Sequence, residues 1–389
     1  MDKKKSVLFV CYGLGIGGIE KCMVNLINAL PEERYDIDLL VMEQIYDMKP
    51  QIRRRVNFLD AFQYTLNAEF TIREIRARGG LWKYREMLWP YIDHRIRIKL
   101  GLPEWIRFRP IEKRYDIAVA YSQNGLAPYY VIDKVQADRK VLWYHNGAYT
   151  KTKKEYCLDQ KYYHQFDYVV GVSEFCASLL REKFGFDDKK LVVLQNICDV
   201  KRIRQDAAEF VPDSFSGNCM HITTVGRMSA EKGADLALEV CRMLCAEGRN
   251  ICWHWVGDGE QAEAIERRAD QWGLHDRFLL EGNQRNPYPY IQNADIYVQP
   301  SYYEAYSTTV TEAKVLCRPM VTADVGGMRD QLSEGKNALI VSTEAGAIAR
   351  AVKILLDNES MRNEFSEALK RERFDTEAVL TEYERSVFA

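Results

Sequence analysis

The stretch 299–313, QPSYYEAYSTTVTEA, places Glu304 in a loop and a second carboxylate, Glu312, eight positions on. An apolar segment, DIYVQPS (295–301), precedes it and PMVTAD (319–324) follows, so the pattern reads strand, loop, helix, strand, the unit of a parallel α/β sheet. Ligands of such sheets bind at the carboxyl ends of strands, where Glu304 falls. Glu312 has two readings. With Thr309 it fits the S/T-x-x-E capping box and would only tie off a helix N-terminus; with Glu304 it would be the second acid of a binding site. Cations come at another strand end. In MHITTVGRMSAEKGADLALEVCRML (220–244), Gly226 and Arg227 close a strand, Ser229 and Glu231 mark a helix start, and Lys232 lies five residues after Arg227. Two cations at the mouth of a strand-loop-helix unit suit a pyrophosphate, on which charge builds as it leaves. Lys and Arg are abundant on surfaces, so position carries that reading.

The elements that would hold these groups begin with SVLFVCY (6–12), a buried parallel strand, the glycine loop GLGIGGIE (13–20) and an amphipathic helix, KCMVNLINAL (21–30). Gly13, Gly15 and Gly18 match G-x-G-x-x-G, a phosphate loop at a helix N-terminus, and Glu43 follows the next strand, DIDLLVM (36–42). That keeps an NAD-binding Rossmann oxidoreductase open. Against it, Glu20 in the first helical turn would compete with a phosphate for the same amides. Asp36 and Asp38 spell D-x-D but alternate within the strand and read as strand-edge residues. DIAVAYS (116–122), KVLWYHN (140–146) and DYVVGVS (167–173) are further parallel strands, with His145 at a strand end beside Asn146 and Gly147. A lone His is commonly a satisfied core residue, but this placement favours a cleft. Ser173 reads as the N-cap of the helix 174–185.

A chain of 389 residues, 47% hydrophobic and 28% charged, suits two domains. A net charge of −2 argues against a uniformly basic nucleic-acid binder. The ten cysteines include no C-x-x-C pair; Cys241 and Cys245 lack partners for a metal site, and all read as reduced residues of a cytosolic protein. The first apolar run breaks at glycines, so it is a strand rather than a signal peptide, and no window is long enough to span a membrane. Residues 49–114 differ, with sixteen Lys or Arg against seven Asp or Glu and interleaved aromatics. That composition fits contact with an anionic membrane or a lipid-linked acceptor; long Arg stems over a core, or a single-stranded nucleic-acid binder, would look similar.

Taken in order, Gly17-Gly18-x-Glu20, strand-end His145, Asn196 with Asp199, Gly226-Arg227 with Lys232-Gly233, Gly257-Asp258-Gly259, and Glu304 with Glu312 resemble a family 4 glycosyltransferase over nearly the whole chain. The resemblance implies a GT-B fold: α/β, two Rossmann-like domains with parallel sheets facing a central cleft. The first would be an acceptor-side domain over 1–205, with the basic and aromatic segment 49–114. A linker over 206–218 and a nucleotide-sugar donor domain over 219–372 follow, and a helix over 373–389 returns to the first domain. It further implies that Arg227 and Lys232 bind the donor diphosphate, and that Glu312 binds the ribose hydroxyls. Glu304 contacts the transferred sugar, with the amides of Tyr306, Ser307 and Thr308 near the phosphate. Gly17 and Gly18 admit the nucleotide, and His145 lines the sugar site. This chain departs from the family where Glu304, Ala305, Tyr306 and Ser307 stand for the common Glu-Gly-Phe-Gly.

The expectation is a retaining hexosyltransferase needing neither metal nor cofactor. It would move sugar from a nucleotide donor, UDP-linked on family frequency, to a lipid-linked or polysaccharide acceptor in bacterial surface glycan synthesis. It would act in the cytoplasm or peripherally on the inner membrane face, with no nucleic-acid partner. An NAD oxidoreductase would leave the motifs of the second half unexplained. A catalytically silent GT-B partner subunit would rest on the Ala305 and Ser307 departures alone.

Overall fold

The computed structural model describes residues 3–43, 45–60 and 103–388. The centre of the basic and aromatic segment, 61–102, lies outside the described residues, and with it most of the expectation of membrane contact.

Among the described residues thirteen strands form two sheets. The first comprises β1 (Lys5–Cys11), β2 (Tyr35–Val41), β3 (Asn57–Leu59), β4 (Ile111–Ala120), β5 (Val135–Tyr144), β6 (Tyr168–Gly171) and β7 (Leu191–Val193), in the order β3-β2-β1-β4-β5-β6-β7. The second comprises β8 (Met220–Val225), β9 (Ile251–Val256), β10 (Phe278–Gly282), β11 (Ile296–Gln299), β12 (Met320–Ala323) and β13 (Ala338–Val341), in the order β10-β9-β8-β11-β12-β13. Neighbouring strands pair in parallel throughout. Helices therefore cover both faces, which is why β1 reads KSVLFVC, buried from Val7 onward, rather than alternating. Each sheet reverses strand order once, between β1 and β4 and between β8 and β11, and parallel α/β sheets open their ligand crevices at such points.

Ile197 packs in the first core, whereas Ile203 and Ala207, on the helix Val200–Ala207, pack with Val225 and Val256 of the second. The chain thus crosses between domains before the segment 206–218. Asp199 caps that helix by accepting from Arg202 N at 3.0 Å. After the helix Thr376–Tyr383 the tail is in the first core again. Tyr383, Val387 and Phe388 are buried there, and the Phe388 ring lies 5.9 Å from that of Tyr35.

Two expectations are corrected. Asp36 and Asp38 do not lie at a sheet edge, since β2 is flanked by β3 and β1. Asp38 is buried and accepts from Asn57 Nδ2 (3.1 Å), Lys113 Nζ (2.9 Å) and Tyr115 OH (2.5 Å), which is how a buried carboxylate is tolerated. The cysteines are not all free: Cys219 and Cys252 form a disulfide between β8 and β9, with Cα atoms 6.0 Å apart. The parallel register sets Cys252 opposite His221, two residues from Cys219, a proximity that separation in sequence does not reveal. Among the described residues no helix is long and apolar enough to cross a membrane.

Candidate active site

The acidic loop is held by backbone packing. It leaves β11 and enters the helix Thr308–Val315, whose N-cap is Ser307, its Oγ accepting from Val310 N. The capping box between Thr309 and Glu312 is therefore not made: Thr309 Oγ1 donates to Gln299 Oε1 at 3.0 Å, and Glu312 is left for other work. Around the loop stand glycines that nothing larger could replace. A Cβ on Gly326, where φ is +48°, would lie 1.6 Å from Glu304 O; one on Gly327 would lie 2.0 Å from Ala305 O. Gly147, from the loop after β5 in the first domain, would meet Glu304 O at 2.8 Å. Gln331 clamps Ser307 on both sides, accepting from its N–H and donating to its carbonyl, each at 2.8 Å.

Within this frame Glu304 is 8% exposed and Oε1 accepts from Lys232 Nζ at 2.8 Å and Ser301 Oγ at 2.9 Å. Lys232 reaches it because Ala230–Lys232 is a single 3-10 turn and Gly233, at φ +73°, lies so close to Pro300 O that a Cβ would approach to 2.3 Å. Arg227, exposed at the end of β8, is braced differently. Its neighbour Met228 donates through its N–H to Asp258 O at 2.9 Å, and Gly257 and Gly259 press on the backbone of residues 226–228. The Gly-Asp-Gly turn therefore supports the cation-bearing loop.

The opposite wall begins at the glycine loop. Gly17 is the N-cap of the helix Gly18–Ala29, and a Cβ on Gly18 would lie 3.3 Å from Thr308 Oγ1 of the other domain. Glu20 folds back over Gly17, and burial raises its pKa, opposed by a backbone hydrogen bond and by Arg227 across the cleft. Lys21 extends from the same turn to form an ion pair with Glu312 Oε1 and rests 4.6 Å over the Tyr288 ring. Burial pulls the Lys21 pKa down, but Glu312 and Tyr288 more than reverse it, so the lysine is a firm cation. Glu312, 3% exposed, is left with Oε2 buried and without a hydrogen-bond partner.

His145 follows β5. Its N–H donates to Gln123 Oε1 at 2.9 Å and its ring lies 5.1 Å from that of Tyr121. Burial pushes its pKa down to about 3, opposed by a backbone hydrogen bond with Tyr121, and its Nε2 is buried without a partner. A neutral imidazole with a bare edge can hydrogen-bond a hydroxyl but brings no charge. Ser173, besides capping the helix Glu174–Phe184, donates from Oγ to Ala305 O at 2.8 Å, stitching the first domain to the acidic loop.

Between these walls lies a cleft of about 1070 Å³ lined by Gly17, Gly18, Lys21, Arg227, Thr308 and Glu312, among others. The expected residues fall into two groups. Gly17, Gly18, Arg227, Thr308 and Glu312 share this cavity, while Lys232 and Glu304 pair at its rim, the Lys232 stem passing 3.8 Å from a Cβ position on Gly226. One expected amide donor, that of Ser307, is already engaged within the protein. The Tyr306 side chain packs against the first core, where burial raises its pKa to about 12, and the Ser307 amide is occupied by Gln331. Ala305 is likewise buried against the first core, so the departure from the family's glycines fills the domain junction. Lys21, Ser173 in its second role, Tyr288 and Gln331 were not foreseen as site residues. Lys21 follows Glu20 in the glycine-loop motif, the one sequence signal that pointed toward it. Within the protein itself, side chains on Gly13 and Gly15 would meet only ordinary contacts of 3.4 Å or more.

Comparison with known proteins matches both halves. Glycosyltransferase Family 4 covers residues 16–202 and Glycosyl transferases group 1 covers residues 215–372. The 2-deoxystreptamine glucosyltransferase of Streptomyces kanamyceticus is 31% identical over 200 residues, 49% of this chain and 51% of that one. N-acetylgalactosamine-N,N'-diacetylbacillosaminyl-diphospho-undecaprenol 4-alpha-N-acetylgalactosaminyltransferase of Campylobacter jejuni is 22% identical over 364 residues, 92% of each chain. The match spans about half the length of the first curated relatives. Among solved structures, the Anabaena protein HepE in complex with UDP-glucose superposes with a TM-score of 0.71 at 15% identity, covering 99% of both chains.

Proposed function

Since the chain belongs to the group 1 and family 4 glycosyltransferases and has their GT-B fold, we propose that it transfers a hexose-type sugar from a nucleotide donor to a glycan or lipid-linked acceptor. The observation that carries this reading is Glu312 Oε2, a buried carboxylate oxygen without a partner on the wall of a cleft that also holds Arg227. Buried polar atoms are rarely left unpaired, and a pair of ribose hydroxyls would satisfy this one while Lys21 holds the other oxygen. Arg227 and Lys232 stand at the carboxyl end of β8 for the diphosphate, and the Thr308 end of its helix adds the partial positive charge that favours an anion.

In the reaction we propose, the acceptor oxygen bonds to the anomeric carbon on the face from which the diphosphate departs. The acceptor's proton passes to a diphosphate oxygen, and the configuration is retained. The two cations stabilise the charge that grows on the leaving diphosphate, the role a metal serves in other transferases. Glu304 holds hydroxyls of the transferred sugar, and neutral His145 hydrogen-bonds that sugar through Nε2. A uridine donor is supported by the UDP-glucose of the Anabaena neighbour, and a lipid-linked acceptor by the undecaprenyl substrate in the Campylobacter relative's name.

The test is donor binding by calorimetry and slow nucleotide release on a panel of UDP-, GDP- and ADP-sugars with NAD, all in EDTA. Release of one nucleotide, lost in Glu312→Ala, is the expected result. Binding of NAD alone would return the chain to the oxidoreductase reading, and no binding at all would favour a silent subunit.

A further inference from the structure

At the amino ends of β8 and β9, roughly 20 Å along the strand from Arg227 at ~3.3 Å per residue, a second group of chemical side chains gathers. Cys219-x-His221 and Cys252-x-His254 are two copies of one dipeptide spacing, and the two-residue period of a strand sets each pair on one face. The register places His221 opposite Cys252. Cys219, His221 and Cys252 offer ligand atoms all within 4.8 Å of one another, the one such group of His, Cys, Asp and Glu among the described residues.

We propose that, with the Cys219–Cys252 disulfide reduced, these three residues bind a zinc ion. Geometry and proton placement both support it. A dithiol or phosphine reductant adds two electrons and two protons to the S–S bond to give two thiols, and zinc then displaces both protons to solvent. Tetrahedral zinc, with bonds of about 2.3 Å to sulfur and ~2.0–2.1 Å to nitrogen, needs sulfur and nitrogen ligands roughly 3.6 Å apart. His221 Nε2 lies 3.8 Å from Cys219 Sγ. The Cα atoms of the two cysteines are 6.0 Å apart, a span over which side-chain rotation can set their sulfurs about one metal.

The histidine's proton is fixed by a relay. Glu281 Oε1 lies 2.8 Å from His254 Nδ1, and a carboxylate only accepts, so His254 Nδ1 carries the hydrogen. His254 Nε2 is then an acceptor and takes the hydrogen of His221 Nδ1 at 2.9 Å. His221 Nε2 is left with its lone pair; Cys219 Sγ lies 3.8 Å from it and 3.9 Å from Nδ1, so rotation of the freed cysteine side chain must bring the sulfur round to the Nε2 side. A carboxylate orienting a ligating imidazole is how metal sites fix tautomer and raise basicity; here a second imidazole lies between them. Phe215 stacks on both rings, 4.7 Å from His221 and 4.0 Å from His254, so the site would pin the segment after the domain crossing to the second sheet. Two thiolates neutralise Zn²⁺, and thiolate with imidazole selects zinc over magnesium or calcium. Both cysteines are partly exposed, which leaves an entry path and an open fourth position for water. This metal would be remote from the transferase cleft.

Metal analysis of the full chain, purified under a phosphine reductant with no metal added, tests it. Close to one zinc per chain is expected by mass spectrometry of the elements. Replacement by Co²⁺ should give a thiolate charge-transfer band in the near ultraviolet and intense tetrahedral d–d bands. Cys219→Ser and Cys252→Ser should each abolish both. Glu281→Gln, which keeps every ligand, should weaken metal affinity about 10–100-fold with donor hydrolysis unchanged. Should the serine variants fail to fold, the cobalt spectra of the unaltered chain and of Glu281→Gln decide. Metal retained by Cys219→Ser overturns the proposal. So do thiols that alkylate only after reduction and then take up neither zinc nor cobalt, which would make the pair a disulfide alone.

Discussion

The two walls of the cleft were built by different rules. On the second domain, Arg227 and Lys232 follow β8, and Glu304 and Glu312 lie in the loop and helix after its sheet neighbour β11, so the pairing of two adjacent strands brings them to one end of one sheet. On the first, Lys21, Gly147 and Ser173 act through contacts with the opposite domain that depend on how the two bodies dock. Strand-end topology thus carries the proposed donor-binding groups, and docking determines which of them remain unpaired.

The sharpest way to break that comparison is at its meeting point. Glu312→Ala should abolish measurable donor binding, with at least a roughly 100-fold loss, since hydrogen bonds to a charged group contribute about 1.5–3 kcal/mol each. It should also lower stability by about 3–5 kcal/mol, because Lys21 is left a buried cation without its partner. Were Glu312 only a helix cap, stability would fall by about 1 kcal/mol and donor affinity would not change. Lys21→Met attacks the same pair from the other wall. Comparable destabilisation is expected without donor, yet donor affinity should fall less than about tenfold, and calorimetry with melting curves separates the two.

Next in size is the loop's support. Gly326→Ala should reduce turnover about 100-fold, as expected for a displacement of the order of 1 Å at a reacting group, because the new Cβ collides with Glu304 O. Gly13→Ala and Gly15→Ala, which meet only ordinary contacts, should stay within about twofold of the unaltered chain. Equal effects at all three would restore a dinucleotide role to the glycine loop. Ser173→Ala removes both an N-cap and the hydrogen bond to Ala305 O and should cost about 2 kcal/mol in a denaturant titration.

How far the sequence could be read follows the same division. Parallel strands buried on both faces announce themselves as apolar runs, so both sheets and the strand-end placement of His145, Arg227 and Glu304 were legible. Thr309 and Glu312 misled because a capping box is a local pattern, whereas the actual cap, Ser307, is selected by where Gln331 holds the chain. Asp206 and its acidic, glycine-bearing successors look like a linker in sequence, while Ile203 and Ala207 show their allegiance to the second core only through packing. Cys219 and Cys252 are 33 residues apart, and only the pairing of β8 with β9 brings them together. Long-range register of this kind leaves no mark on either segment alone.

The last contrast is one of pH and concerns His145, where the two walls touch through Gly147. Its folded pKa of about 3 lies below the ordinary histidine value near ~6.5, so the unfolded chain binds a proton that the folded chain refuses. The stability this represents is complete above about pH 6.5 and is lost progressively as pH falls toward about 3. Urea midpoints of the unaltered chain should therefore drop below about pH 6.5 more steeply than those of His145→Asn, and the two curves should run parallel above it. The same neutrality bears on chemistry. A ring uncharged throughout the working range gives turnover no inflection near pH 6 to 7 of its own. If such an inflection were present in the unaltered enzyme, vanished in His145→Asn, and accompanied an inverted product, His145 would be the base and the first domain, rather than the donor's phosphate, would take the proton.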